Sequence, residues 1–448
     1  MQLYQSRQVQ PKDIIAFTGA GGKTTALFRL ADEIAASGLR VVMTTTTRLA
    51  LAQAHAPRSA PLRYDGSHDF VERVSAALVS RRLVLIVGEN VEEDKVAGVP
   101  PPFVDQLAAL DAVDVVLYEA DGARMLPFKA PAAHEPVLAE STTLLVSVIG
   151  ITAMGAPLDA AHVHRAEIVA RLAGAKMGDQ VSPMIAARVI ANREGGLKDK
   201  PHAARVIALV NQVENAGQLD AARVLARLLL KYNEIDAVAI GAVRNQDPIR
   251  ETHRRVAAIV LAAGSGTRMK GRIKQLLPWH GKTLIENAIS VAASTHAAET
   301  LVVLGANAAE IRVAIHPAPA RVLLNREWET GHASSIRVGL NALGREIDAA
   351  VFVNADQPFL AAEVIDRIIQ RYYETGARII VPHYAGKRGS PVLFDRVHFA
   401  ELQSLQGEEG GRELLMKYRS EIQSVEFADA RLALDVDTPE EYEDAVRL

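Results

Sequence analysis

The chain has 448 residues, 49% of them hydrophobic and 23% charged, with a net charge of -3 and no cysteine. One hydrophobic core stops growing at roughly 250 to 300 residues, so two domains are expected, and the composition is that of a soluble globular protein. The mildly acidic balance supplies no general field for nucleic acid, and the missing cysteines exclude disulfide scaffolds and thiolate metal sites, leaving oxygen and imidazole as metal ligands.

The opening MQLYQSRQVQPKD has no apolar core behind a basic head, so no signal peptide is expected. No apolar run reaches the ~20 residues that a membrane-spanning helix needs, and a cytoplasmic protein without membrane or nucleic-acid partners is expected. Short Val/Ile/Leu-rich runs then recur, each followed by an amphipathic stretch: DIIAFTG, RVVMTTT, LVLIVG, DVVLYEA, TLLVSVIG, VIALVN and AVAIGAV. Runs apolar at every position predict strands buried on both faces, as in a parallel sheet covered by helices. The first half is therefore expected to be a layered α/β domain.

Its first strand runs into IIAFTGAGGKTT, where Gly19, Gly21 and Gly22 precede Lys23, Thr24 and Thr25 at the start of a helix. Backbone N–H groups of such a turn, with the helix N-terminus, can cradle phosphate while the lysine neutralises it. Phe17 stands where the full P-loop pattern has glycine, so this is a variant loop, with ATP or GTP as its candidate ligand. VDVVLYEADGAR next delivers Glu119 and Asp121 to a strand end, the place for a magnesium ligand. KAPAAHEP contributes Lys129, His134 and Glu135, and AHVHR contributes His162, His164 and Arg165. A solvated or capping role is expected for these histidines over metal binding. Asn211 and Gln212 follow the strand VIALV as in a guanine-reading Asn-Lys-x-Asp, with Gln212 and Glu214 replacing the lysine and aspartate. Residues 244–255, RNQDPIRETHRR, are polar and without periodicity, which predicts a linker; the domain boundary is placed at 249/250.

The same rhythm restarts with VAAIVLAAG and continues through ETLVVLG, RVLLN, AAVFVNAD and RIIVPHY. In LAAGSGTRMKGRIKQLLPWHGKTLI, residues 261–285, a strand ends in Gly264 and Gly266, with Arg268 and Lys274 adding positive charge to the turn. Glycines that let N–H groups reach phosphate, plus two cations, predict a phosphate site. VFVNADQPFL brings Asp356 to a strand end, where it suits magnesium or caps the helix starting near Ala361. LALDVDTPEEYEDAV sets Asp435 and Asp437 on alternate residues of an expected strand, hence on one face, and offers Thr438 and Glu441 as a capping box. These parts suit in-line displacement at an α-phosphate, which needs positioning and charge neutralisation more than covalent chemistry.

LAAGxGxRM, the downstream lysine, the strand-end Asp356 and the closing DxDTPE resemble the nucleotidyltransferases of Rossmann-like fold that activate cofactors and sugar phosphates. NREWETGHASSIRVGL, residues 325–340, is similar to N-P-x-W-x-x-G-x-x-x-S-L-x-x-G of the MocA-type molybdenum cofactor cytidylyltransferases, as are DQPFL and RGSPVLF. This resemblance covers residues 256–448. It implies CTP held by Leu261, Ala262, Ala263, Gly264 and Gly266, with Arg268, Lys274 and Asp356 catalytic and magnesium on Asp356 with Asp435 or Asp437. It implies an acceptor side at Asn325, Trp328, Gly331, Ser334, Ser335 and Arg388, and a molybdopterin-type cofactor as acceptor. Departures at Gly266-Thr267, Lys270 and Ser390 keep a sugar- or polyol-phosphate cytidylyltransferase as the alternative, and a non-catalytic cofactor chaperone is a third reading.

GAGGKTT, EADGAR, KAPAAHEP and HVHR resemble the YqeC-type accessory family of selenium-dependent molybdenum hydroxylases, over most of residues 10–245. That resemblance implies a molybdenum hydroxylase apoenzyme as protein partner beside the small-molecule substrates. The expected whole is two layered α/β domains, a P-loop-like sheet followed by a Rossmann-like nucleotidyltransferase fold.

Overall fold

A computed structural model describes residues 2–3, 9–50, 60–92, 94–408 and 410–448, and the chain divides into two compact units, Met1–His253 and Arg254–Leu448. Both are α/β.

The first unit holds a nine-stranded sheet. Its centre is the strand Ile14–Gly19, flanked by Val115–Glu119 on one side and Leu144–Gly150 on the other, both parallel to it. Outward from Leu144–Gly150 come Arg205–Asn211, Ala237–Gly241 and Ile249–His253; outward from Val115–Glu119 come Val41–Thr45, Leu83–Val87 and Leu62–Arg63. Side chains alternate across a strand, and both faces are covered: Ile14 and Ala16 join one core, Ile15 and Phe17 the other. That is why these runs are apolar at every position. Parallel pairing in register brings Gly19, Glu119, Gly150 and Asn211 to one edge, since Phe17 lies opposite Glu119 and Gly150 opposite Asn211.

Ile249–His253 corrects the linker expected over residues 244–255. It is an antiparallel edge strand on Ala237–Gly241, and the division between the units falls after His253. Its polarity hid it. Glu251 is buried because it accepts from Arg223 Nε at 3.0 Å and pairs with His253 Nε2 at 2.6 Å, and neither the burial nor the pairing with Arg223 is visible in the local pattern.

The second unit repeats the logic. Arg321–Leu324, Glu299–Leu304, Val256–Ala262 and Ala349–Asn354 are neighbours and all parallel; Val392–Asp395 and Ile379–Tyr384 follow as antiparallel pairs, and Ile422–Phe427 runs parallel to Ile379–Tyr384. Val256, Ala258, Val260 and Ala262 face one core, Ile259 and Leu261 the other. Leu261 lies opposite Asn354, so the glycine turn after Ala262 and Asp356 leave the sheet at the same edge. Asp435 and Asp437 do not lie in a strand. The chain from Leu434 to Asp437 has no assigned secondary structure and is anchored by Val436 N–H donating to Asp356 O at 3.0 Å. Thr438 and Glu441 form the expected capping box of Pro439–Arg447. Among the described residues no helix is long and apolar enough to cross a membrane.

Candidate functional site

In the second unit the buried residues Leu261, Ala262 and Ala263 end the central strand and open into the glycine turn. A methyl group built on Gly264 would meet nothing within 4 Å, so the backbone there faces open space that a phosphate can approach. Gly266 takes φ +61°, the left-handed region that glycine enters without strain. Gln275, which the sequence reading did not single out, braces this turn from inside: its Nε2 donates to Ala262 O at 3.1 Å and to Gly264 O at 2.8 Å. Its only local signal is its place beside Lys274.

Lys274 is the hub. Its Nζ donates to Asp356 Oδ2 and to Asp437 Oδ1, both at 2.7 Å, while Arg268 Nη2 donates to Asp437 Oδ2 at 2.8 Å. Burial opposes the charge on Lys274, but Asp356 and Asp437 outweigh it and hold the ammonium firmly protonated. For Asp437 burial likewise works against ionisation, and Lys274 and Arg268 prevail, so its carboxyl lies below the ordinary range. Asp435 goes the other way: burial first, then repulsion from Asp356 and Asp437, pushes it up to about 6. Gln357 donates to it and is itself buried. Asp356 does not cap a helix, since the N-cap of Ala362–Thr375 is Ala361. Its Oδ1 is buried without a hydrogen-bond partner.

Three carboxylates crowded beside two cations, one oxygen left unbonded, fit a hard divalent ion that completes its shell with phosphate and water oxygens. Among the described residues no group of three or more His, Asp or Glu is gathered to hold a metal by itself. A divalent ion held here would need oxygens from a bound molecule as well.

Of the expected acceptor residues, Asn325, Ser334 and Ser335 turn inward. Asn325 Nδ2 donates to Ser334 Oγ at 2.7 Å and Ser335 Oγ at 3.0 Å, Ser334 Oγ donates to Gly331 O, and Asn325 Oδ1 accepts from Glu327 N–H. The set braces the 325–335 segment. Gly331, at φ +108°, sits so close to Gly407 that a methyl group would lie 2.3 Å from its carbonyl. Trp328 is half-buried with its Cβ against Gly305, and Arg388 is exposed on the short strand Lys387–Arg388. His332, unremarked in the sequence, is near enough to Asp356 to feel its charge, although burial dominates and lowers its pKa.

In the first unit Gly19, Gly21 and Gly22 take φ of +89°, +81° and +110°. A methyl on Gly19 would lie 2.2 Å from Val148 O, and one on Gly21 2.1 Å from Gly150 N, so only glycine builds this loop. Lys23–Ala36 starts at Gly22 with no side-chain cap, leaving its first N–H groups open to an anion. Lys23 Nζ donates to Gly19 O at 2.7 Å and lies 3.1 Å from Asp121 and 3.5 Å from Glu119. Burial opposes its charge, and the two carboxylates overcome that and raise its pKa. Thr24 Oγ1 donates to Glu119 Oε2 at 2.7 Å; Thr25 follows in the same helical turn. Asp121 also accepts from Gly19 N–H at 3.0 Å and pairs with Lys129 at 2.9 Å. Lys129 and Arg165 converge on Glu135 at 2.8 and 2.7 Å. His162 is exposed against Asp159, and burial, with Arg165, Lys129 and Arg124, lowers His164 to about 4.

Comparison with known proteins separates the same two parts. Residues 15–167 match the family described as YqeC protein, and residues 258–422 match the MobA-like NTP transferase domain. The chain is 30% identical over 240 residues to YqeC of Escherichia coli strain K12, covering 53% of this chain and 90% of that one. It is 28% identical over 194 residues to nicotine blue oxidoreductase of Paenarthrobacter nicotinovorans, covering 42% of this chain and 94% of that one. Rv0371c of Mycobacterium tuberculosis, a solved structure, aligns at 29% identity over 44% of this chain and 99% of its own, with a TM-score of 0.39.

Proposed function

The chain belongs to the YqeC family, with a MobA-like NTP transferase domain in its second half, and from this we propose that the second half transfers CMP from CTP to the phosphate of a molybdopterin-type cofactor. The observation that carries the reading is Lys274, held between Asp356 and Asp437 beside a glycine turn open to phosphate. An acceptor phosphate oxygen attacks the α-phosphorus of CTP, a new P–O bond forms, and the α–β bridge breaks to release pyrophosphate. The N–H groups around Gly264 hold the triphosphate. Arg268 and Lys274 neutralise charge as it moves onto the leaving oxygens. Asp356, with Asp435 or Asp437, would hold magnesium, which supplies further charge neutralisation when bound. Trp328, on the segment that Asn325, Ser334 and Ser335 brace, and Arg388, on the strand Lys387–Arg388, would face the acceptor.

The first half is proposed to bind ATP or GTP at the Lys23 loop, with Thr24, Glu119 and Asp121 on the magnesium side, as an accessory unit serving a molybdenum hydroxylase apoenzyme in the cytoplasm. The likeness to nicotine blue oxidoreductase supports a second reading, an oxidoreductase built on the same domain.

Purified protein given CTP, magnesium and a molybdopterin-type cofactor should release pyrophosphate and form the cytosine dinucleotide. Pyrophosphate release only with a sugar or polyol phosphate would replace the acceptor. Electron transfer without pyrophosphate would support the oxidoreductase, and neither activity would leave a cofactor carrier.

A further inference from the structure

We infer that the nucleotide site of the first unit selects guanine, and that Glu214 is the residue that reads the base. This rests on the reading that the Lys23 loop holds a nucleotide. Sheet order supplies the frame. Leu144–Gly150, Arg205–Asn211 and Ala237–Gly241 follow the loop strand in succession, all parallel, so their carboxyl ends open on the same edge as the glycine loop. On the other side of the loop Glu119 and Asp121 surround Lys23 with negative charge. Phosphates and their cation belong there, which leaves the Asn211 side for the base.

Asn211, 3% exposed, locks that side together. Its Nδ2 donates to Gly21 O at 2.8 Å, and its Oδ1 accepts from Val243 N–H at 3.0 Å. One side chain thus ties the phosphate loop to the turns that follow two successive strands. Gln212 then bends the chain sharply, at φ +66°, and lays its side chain over Gly150, with Thr152 Oγ1 donating to it at 3.0 Å. Val213 is buried, and Glu214 emerges exposed. Its backbone is fixed at both ends: Glu214 N–H donates to Gln218 Oε1 at 2.8 Å, and its carbonyl accepts from Arg250 at 3.2 Å. Its carboxylate has no hydrogen bond or ion pair among the described residues.

An unspent carboxylate carried on a held backbone, at the edge left to the base, matches one purine. Guanine offers two adjacent donors, N1–H and the 2-amino group, to the two carboxylate oxygens, whereas adenine presents an acceptor at N1 and has no 2-amino group. Xanthine replaces the amino group by a carbonyl, which a carboxylate repels and an amide can meet.

The test is equilibrium binding of GTP, ATP and xanthosine triphosphate with magnesium to the full chain. The affinity lost in Lys23→Ala identifies the share belonging to this site, and thermal unfolding verifies that each variant is folded. GTP should bind this site at least about tenfold more tightly than ATP. Glu214→Gln should lose at least about tenfold in GTP affinity and gain in xanthosine triphosphate affinity. Equal binding of GTP and ATP, or a Glu214→Gln protein that keeps its preference, overturns the base assignment. If neither purine nucleotide depends on Lys23, the nucleotide reading itself fails.

Discussion

Glu135→Gln isolates one charge in the clamp behind Asp121. Glu135 is 8% exposed, and its Oε2 accepts from both Lys129 and Arg165. Burial opposes its ionisation, but the two cations prevail and bring its pKa from 4.5 to about 2. That depression is about 2.5 units, and at about 1.4 kcal/mol per unit it corresponds to roughly 3 kcal/mol of folding stability. Because the folded pKa lies below the unfolded one, the contribution is complete above about pH 4.5 and is lost as pH falls toward 2. Replacing the carboxylate by an amide of the same shape should therefore destabilise the first unit by about 3 kcal/mol at pH 7, the range for breaking a buried pair. In a unit of this size that lowers Tm by about 6 to 12 °C. At pH 3 the gap between wild type and variant should shrink to less than half of that at pH 7. Urea unfolding of both proteins at the two pH values measures it. A gap of the same size at pH 3 and pH 7 would refute the reasoning, because the loss would then come from packing and not from charge.

Asp356→Asn keeps the shape that Lys274 packs against but removes the charge that faces magnesium, so transfer should collapse while thermal unfolding stays near normal; near-normal turnover would show that this carboxylate is not a metal ligand. CTP should exceed GTP in kcat/KM by at least about tenfold, ~1.4 kcal/mol, in the second unit. There Ala263 is buried with its methyl against Gly305, narrowing the end of the strand, so Ala263→Gly should reduce the preference, and equal turnover of both nucleotides would contradict it. Lys23→Ala removes a charge-assisted phosphate contact, typically about 1.5 to 3 kcal/mol, and should weaken nucleotide binding to the first unit by about tenfold or more. Cytidylyl transfer should be nearly unchanged in the same protein, and its loss would point to a site shared by the two halves.

The elements that bear the candidate residues were legible because their physics is local. A strand buried on both faces is apolar at every position, a loop with φ near +90° demands glycine, and a carboxylate that follows a strand within two residues must emerge at the sheet edge. Gly19, Gly21, Gly22, Glu119 and Asp356 follow from such rules, as do the left-handed Gly266 and the capping box at Thr438. Where a partner lies far along the chain, sequence reasoning ran out. Lys274 and Asp437 are 163 residues apart, and only the folded chain separates Asp437, held ionised by two cations, from Asp435, pushed up by burial and its neighbours. Asn325, Ser334 and Ser335 have the composition of ligand contacts, yet they satisfy one another and brace a segment. Ile249–His253 has the polarity of a linker, and its strand is made possible by Arg223 beside the buried Glu251. A polar side chain can be solvated, paired or poised for a ligand, and its residue type is the same in each case. Burial makes the difference, because removing a charged or polar group from water is tolerable only where the fold supplies a partner, and which partner arrives is decided in three dimensions.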